Sequence, residues 1–394
     1  MGDFASSLHV GYLAVELGDR PSRRAVHDPT QPRCVYDVGS MTDILQVDPD
    51  RPDPASIRRA AAVLKDGGLV AFPTETVYGL GVHALNAVAV RRLFEAKERP
   101  PNDPLIVHVS SAQHVDALVS DVPDVGRTLA ARFWPGPLTL VLPRSPIVPD
   151  DVTAGLATVA VRVPAHPVAR ALLRAVGIPI AAPSANLFSR PSPTRAAHVI
   201  DDLDGRIDLI VDGGPTSVGL ESTVIDLSRD RPIVLRPGAI TLAMLREFLP
   251  DVEVGTLDRE DRAMPSPGLL AKHYSPRALL TLYEGEPREA IGRLLRDAAV
   301  SLAVGDSIGI IAADEDRDVV GGISGPGGTR VEIRYLGSER NTAAIASRLY
   351  AALRELDATG VDQIFVRNFT DADGLGIAIA DRLRRAAAGR VIRV

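Results

Sequence analysis

The sequence holds a single cysteine, Cys34. One thiol forms no intramolecular disulfide and builds no Cys-rich zinc or iron–sulfur centre. No apolar run approaches the roughly 18 residues of a membrane helix, and the N-terminus lacks the charged-then-apolar pattern of a signal peptide. A reducing cytoplasm is the expected setting. Aromatic residues are scarce, at 4%, which disfavours a surface built to stack bases. Basic residues do not dominate: 44 Lys and Arg against 50 Asp and Glu leave a net charge of −6. A chain-wide basic face for nucleic acid is disfavoured, whereas a local basic pocket is not. Lysine is rarest among the cations. Only Lys65, Lys97 and Lys272 occur, so all but three of the 44 basic residues are arginines. Where Arg is the default, a Lys hints at a place that wants a compact ammonium.

Familiar chemical signatures are missing too. There is no G-x-x-x-x-G-K-[ST] loop, no HExxH pair and no G-x-S-x-G elbow. Gly321–Gly328 is glycine-rich, but no Lys follows and no helix opens there, so it reads as a flexible loop.

What is present is globular: 394 residues, 45% apolar and 24% charged, a length that favours two or three domains. Residues 1–40 hold Pro21, Pro29 and Pro32 with no sustained periodicity. They are expected to be a disordered or mis-started extension, an ordered N-terminal arm being the alternative. Helices are predicted at Pro54–Asp66, Ala87–Lys97, Ser111–Val119, Val125–Phe133, Pro167–Val176, Arg195–Leu203 and Leu242–Leu249. Strands are predicted at Leu69–Pro73, Leu105–Val109, Leu138–Leu142, Val159–Val163, Ile178–Ala182, Ile207–Val211, Thr223–Leu227 and Ile233–Leu235. This order predicts an α/β or α+β domain over residues 50–249. Residues 250–277, broken by Pro265, Pro267, Gly268 and Pro276, read as a linker. Beyond it, strands and helices alternate through residues 278–394, as in a small doubly wound, Rossmann-like α/β domain.

Five polar stretches interrupt the first domain. PTETVYGLG offers Thr74, Glu75, Thr76 and Tyr78 after a strand. KERPPNDPLIVH places Lys97 and Arg99 where a helix gives way to a proline-fixed turn, with His108 in the strand beyond. Two such cations repel unless an anion joins them, although they also suit a helix C-terminus. In VAVRVP, Arg162 faces away from Val161 and Val163 and needs a carboxylate or phosphate partner if buried. PSANLFSRPSPT sets Ser184, Asn186, Ser189, Ser192 and Thr194 among prolines, so its donors are preorganised. ESTVID and LRPGAI add Ser222, Thr223 and Arg236. Each stretch alone also has a structural reading: a capped turn, a satisfied histidine, a plain loop. Together they place Lys, Arg, Ser, Thr and Asn just beyond strand ends, a pattern suited to a polyanion held without a P-loop.

These runs, with WPGPLTLVL between them and SPGLLAKHYSPRALL after them, are colinear over residues 50–394. They resemble the YrdC-like domain of threonylcarbamoyl-AMP synthases in its two-domain form. The resemblance implies a YrdC-like α/β twisted-sheet catalytic domain and a smaller doubly wound C-terminal domain. It implies condensation of L-threonine, bicarbonate and ATP into threonylcarbamoyl-AMP and pyrophosphate, with Mg²⁺ accompanying ATP and no protein-held metal. The product would pass to a separate complex that modifies tRNA, and a weak RNA contact remains open. By the same resemblance, Lys97, Arg99, Ser184 and Asn186 form the catalytic constellation. Thr76, His108, Arg162, Ala182 and Ser222 would meet L-threonine. Arg99, Asp103, Thr158, Ser184, Ser192, Arg236 and Tyr274 would meet ATP, with the linker closing over the site.

Two departures stand out: Glu98 replaces the family's usual Gly, and Asp103 its usual Asn. A carboxylate beside a triphosphate is repelled unless Mg²⁺ intervenes or it points away. The cations fit the chemistry, because a carbamate must meet a triphosphate. At 4 Å and an effective dielectric near 20, each unit pair is worth about 4 kcal/mol. Two other readings compete with this one. A carbamoyl-phosphate-dependent carbamoyltransferase would carry Cys-rich zinc modules, which one cysteine does not supply. An RNA-binding module without catalysis fits poorly with the acidic net charge and few aromatics.

Overall fold

The computed structural model describes residues 41–255, 274–369 and 374–394. The extension read over residues 1–40, and residues 256–273 of the linker, lie outside the described residues. No helix among the described residues is long and apolar enough to cross a membrane.

The chain opens with β1 (Asp43–Gln46) and α1 (Pro54–Lys65). Helix α1 starts where it does because the Asp53 carboxylate accepts the Ser56 N–H and Pro54 suits the first turn. An antiparallel pair, β2 (Val70–Pro73) and β3 (Tyr78–His83), is followed by α2 (Ala87–Lys97), β4 (Ile106–His108) and α3 (Asp124–Phe133). Next come β5 (Leu138–Pro143), α4 (Asp150–Thr153), β6 (Thr158–Arg162), α5 (Pro167–Val176), β7 (Ile180–Ala181), α6 (Ala196–Leu203) and β8 (Leu209–Asp212). The first part ends with β9 (Thr223–Asp226), β10 (Ile233–Arg236), α7 (Leu242–Arg246) and β11 (Glu253–Val254). All eleven strands join one mixed sheet, ordered β1-β8-β2-β3-β7-β4-β6-β5-β9-β10-β11. Helices α1 and α5 pack together over one region of it, burying Ile57, Leu64, Leu172 and Leu173 against Phe72 and Ile180.

Three departures from the sequence reading have local causes. Strand β3 begins inside the stretch read as a polar turn, because its glycines hid it. A Cβ at Gly81 would lie 2.8 Å from the Phe72 ring, so glycine there is what lets β2 and β3 pair. Strand β1 is exposed along most of its length and carries little apolar signal. The helix expected over Ser111–Val119 shrinks to a 3₁₀ turn, Ala112–His114, with the Ser111 hydroxyl spent on the His114 ring at 2.8 Å rather than on a cap.

The second part contains β12 (Leu279–Glu284), α8 (Pro287–Ala303), β13 (Ile308–Ala312), α9 (Arg317–Val320), β14 (Val331–Tyr335), α10 (Thr342–Ala358), β15 (Gln363–Arg367), α11 (Gly376–Ala387) and β16 (Val391–Arg393). Its five strands are all parallel in the order β14-β13-β15-β12-β16, a doubly wound arrangement.

The two sheets share an interior. Val77 and Leu220 of the first part belong to the same apolar cluster as Leu349, Tyr350, Ile379 and Leu383 of the second. Gly219 adopts φ +77°, and a Cβ there would lie 2.4 Å from Ser347 Cα on α10. Polar contacts reinforce the join. Asp202 on α6 is buried and ion-pairs with both Arg190 and Arg354, the latter at 2.7 Å from α10. Removing one member of a buried pair leaves the other charges uncompensated. Asp202→Ala should therefore lower unfolding free energy by about 3–5 kcal/mol, measured by denaturant titration, and should expose the α10 side to limited proteolysis.

Candidate active site

The turn between β2 and β3 is built by its own hydroxyls. Thr74 Oγ1 donates to the Val77 carbonyl at 2.7 Å and lies 2.7 Å from Thr76 Oγ1. This geometry points Glu75 at Arg162, which ends β6. Glu75 Oε1 lies 2.6 Å from Arg162 Nη2, and Glu75 Oε2 accepts the Ala165 N–H at 3.0 Å. Arg162 Nη1 donates to Thr76 Oγ1 at 3.0 Å, and its Nε to the Gly136 carbonyl at 3.2 Å. The partner required for a buried Arg162 is thus Glu75, a residue in a motif already singled out.

Around this anchor lies a small chamber lined by Thr74, Thr76, Val77, Gly79, Arg99, Ile106, His108, Arg162, Ala182, Pro183, Ser184, Glu221, Ser222, Arg236 and Tyr274. Its lining gathers at strand ends, as the sequence pattern leads one to expect: Thr74 and Thr76 follow β2, His108 and Arg162 close β4 and β6, Ala182 and Ser184 follow β7, and Arg236 closes β10. Ile106 and His108, two apart on β4, share one face of the sheet, and Arg162 is the register partner of His108.

Nine expected site residues meet here: Thr76, Arg99, His108, Arg162, Ala182, Ser184, Ser222, Arg236 and Tyr274. Five expected contacts do not. Lys97, 1% exposed, stands one layer behind the wall, its ammonium donating to the carbonyls of Ser184 and Asn186. Asn186 turns its amide to the Leu187 and Arg190 carbonyls at 2.7 and 3.0 Å. Asp103 is fully buried and faces Arg99, its Oδ2 2.9 Å from Nη2. It does not line the chamber. Ser192 gives its hydroxyl to Glu221 at 2.5 Å. Thr158 opens β6, four residues before Arg162, and does not line the chamber.

Sequence reading missed Glu221. It lines the chamber beside Ser222, and it is held by Ser192, Tyr350 and Arg382. The clue was a carboxylate directly before the Ser222–Thr223 pair of the ESTVID stretch. Ser222 itself bonds Thr139 at 2.7 Å and accepts from Arg236 Nη2 at 3.1 Å. Tyr274 stacks near Tyr350, centroids 5.5 Å apart, with Arg382 5.5 Å from its ring. It occupies the left-handed region at φ +61°, held by the Ser275 N–H to the Ser189 carbonyl at 2.7 Å.

Burial shapes the proton affinities. It pushes His108 down to about 3, and the Arg162 charge adds to the effect. The imidazole is therefore neutral. Its Nδ1, 3.2 Å from the Ile106 carbonyl, carries the proton, which leaves Nε2 as an acceptor. Burial, then the Arg99 charge, draws the Lys97 ammonium well below its ordinary range. Burial, then Glu221, raises the Tyr274 phenol to about 12.

Two predictions follow from these local features. Glu98, at the end of α2, holds φ +54°, a conformation that favours glycine, and its carboxylate makes only an exposed pair with Arg206. Glu98→Gly should raise stability by up to about 1 kcal/mol, read from a denaturant midpoint. His108 and His198 are held near 3 and 4 against an ordinary 6.5. The unfolded chain then binds more protons below 6.5, so their stabilisation is intact above that pH and drains as pH falls toward 4. His198→Gln should flatten this acid slope in unfolding titrations between pH 7 and 4.5.

Comparison with known proteins bears on both parts. A family profile described as telomere recombination matches residues 62–238, and one described as the threonylcarbamoyl-AMP synthase C-terminal domain matches residues 240–388. The threonylcarbamoyl-AMP synthase of Bacillus subtilis is 45% identical over 344 residues, spanning 86% of this chain and 95% of that one. Its namesake from Pyrococcus abyssi is 42% identical over 358 residues, spanning 90% of this chain and all of the other. The crystal structure of P. abyssi Sua5 complexed with L-threonine matches with a TM-score of 0.83 at 41% identity, covering 90% of this chain and 100% of that one.

Proposed function

The chain belongs to the threonylcarbamoyl-AMP synthase family and joins L-threonine, bicarbonate and ATP into threonylcarbamoyl-AMP and pyrophosphate; we propose that it does so in the chamber between Arg162, Arg99 and Arg236. The observation that carries this placement is the convergence of three guanidinium groups on one cavity in a chain that has no P-loop. Water displaced when substrates fill such a site strengthens each charge interaction and shelters a carbamate from bulk solvent.

Arg162, Thr76, neutral His108 and Ser222 form the end that receives threonine and its carbamate. Glu75 fixes the guanidinium plane, and His108 Nε2 offers an acceptor to an N–H or O–H of the amino acid. Arg99, Arg236, Ser184 and Tyr274 form the end that receives ATP. A carbamate oxygen attacks the α-phosphorus, the bond to the bridging oxygen breaks, and pyrophosphate departs, which makes the enzyme a nucleotidyltransferase. Positioning and charge stabilisation carry such a substitution. Lys97 contributes positive potential from behind the wall and holds the Ser184 segment in place.

Mg²⁺ enters as part of the MgATP substrate. Among the described residues no three His, Cys, Asp or Glu gather as a metal site, and Glu75 and Glu221 are both engaged by arginines. That donor set suits a cation brought in by phosphates. The mixed anhydride product is reactive and would be handed to a tRNA threonylcarbamoyl transferase complex.

Pyrophosphate release from the purified chain should require threonine and bicarbonate together with ATP; release indifferent to threonine would sink the assignment. Arg162→Lys loses the bidentate fork and should lower kcat/KM for threonine by about 100-fold while changing the ATP constant little.

A further inference from the structure

The second sheet reaches into the chamber wall through one side chain. Arg382 on α11 is fully buried and donates from Nε to Glu221 Oε2 at 2.7 Å. Its Nη2 donates to the Pro237 carbonyl at 3.0 Å, and its Nη1 lies 2.7 Å from Asp381. One guanidinium therefore grips two adjoining pieces of wall: the carboxylate before Ser222 and the residue after Arg236. Tyr350 on α10 adds its hydroxyl at 3.0 Å from Glu221 Oε2.

Glu221 is an awkward neighbour for ATP. It lines the same chamber as Arg236 and Tyr274, the end assigned above to ATP. Unpaired, its negative charge would repel a triphosphate and compete for Arg236. Paired, it leaves the positive side of that wall to the ligand.

We propose that Arg382 is a positioning residue for ATP: by binding Glu221 and the Pro237 carbonyl, the C-terminal part neutralises and orients a wall of the catalytic chamber. The inference rests on the placement of ATP beside Arg236. Charge, rather than mere attachment of the two parts, is what Arg382 supplies.

The test is direct ATP binding by calorimetry on the full chain, with threonine binding measured alongside. Arg382→Gln leaves Glu221 uncompensated and should weaken ATP at least about tenfold, while threonine stays within about twofold. Adding Glu221→Gln removes the stray charge, so the double variant should recover ATP binding to within about threefold of wild type. Arg382→Lys keeps the charge and should hold most of the affinity. A double variant as weak as Arg382→Gln, or ATP and threonine lost by equal factors, would overturn the proposal in favour of simple scaffolding. If Arg382→Gln does not fold, Glu221→Gln alone decides: ATP affinity equal to or above wild type supports the charge role, and a tenfold loss defeats it. Threonine-dependent pyrophosphate release by wild type is read separately. Its absence in a chain that binds ATP and passes the charge test would strike the reaction assignment and leave this inference standing.

Discussion

Taking a guanidinium out of water is costly, and at four buried arginines the chain offsets that cost with a carboxylate. Arg162 has Glu75, Arg99 has Asp103, Arg382 has Glu221, and Arg354 has Asp202. At Arg162 the Glu75 carboxylate also helps orient the guanidinium, whereas at Arg99 the carbonyls of Asp103 and Pro104 accept its hydrogen bonds. The cavity is electropositive without being an unstable cluster of like charges. The acidic net charge of the chain is compatible with such a site because the balance is struck pair by pair, over a few ångströms, and not across the surface.

Much of this was legible in the residues. Capping and periodicity located α2 and α5 to the residue, and the alternation of strands and helices beyond the linker foretold a doubly wound second sheet. Ordered motifs collected the chamber-lining Thr76, His108, Arg162, Ser222 and Arg236. What escaped was long-range partnership. Nothing in KERPPND shows that Asp103 faces back toward Arg99, because a carboxylate beside an anion site and one behind it read alike. Lys97 was noticed for its rarity, yet its two carbonyl partners come from a loop 87 and 89 positions further on. Glu221 escaped as a site residue because two of its three partners, Tyr350 and Arg382, lie on α10 and α11, beyond the linker.

The linker itself now has a mechanical context. Tyr274 is pinned through its neighbour Ser275, which bonds the Ser189 carbonyl on one side and the α11 terminus on the other. A ring that lines the chamber is thus held by both sheets at once. The proline-rich loop from Pro183 to Thr194 serves in the same double capacity. Its Ser184 faces the cavity, while the Pro191 carbonyl accepts from Arg354 of the other part.

Gly219 carries a different sort of consequence. Its missing side chain lets the backbone of the segment before Glu221 lie directly on α10, at a distance that even one methyl group would forbid. Were the same segment to occur in a chain that stopped before β12, that position would open to solvent, and only its left-handed backbone would still ask for glycine. Two separate demands thus converge on one residue, and the second exists because the two sheets are closed against each other: in the longer chain, the freedom of this loop to drift in sequence is limited by a helix more than a hundred positions away.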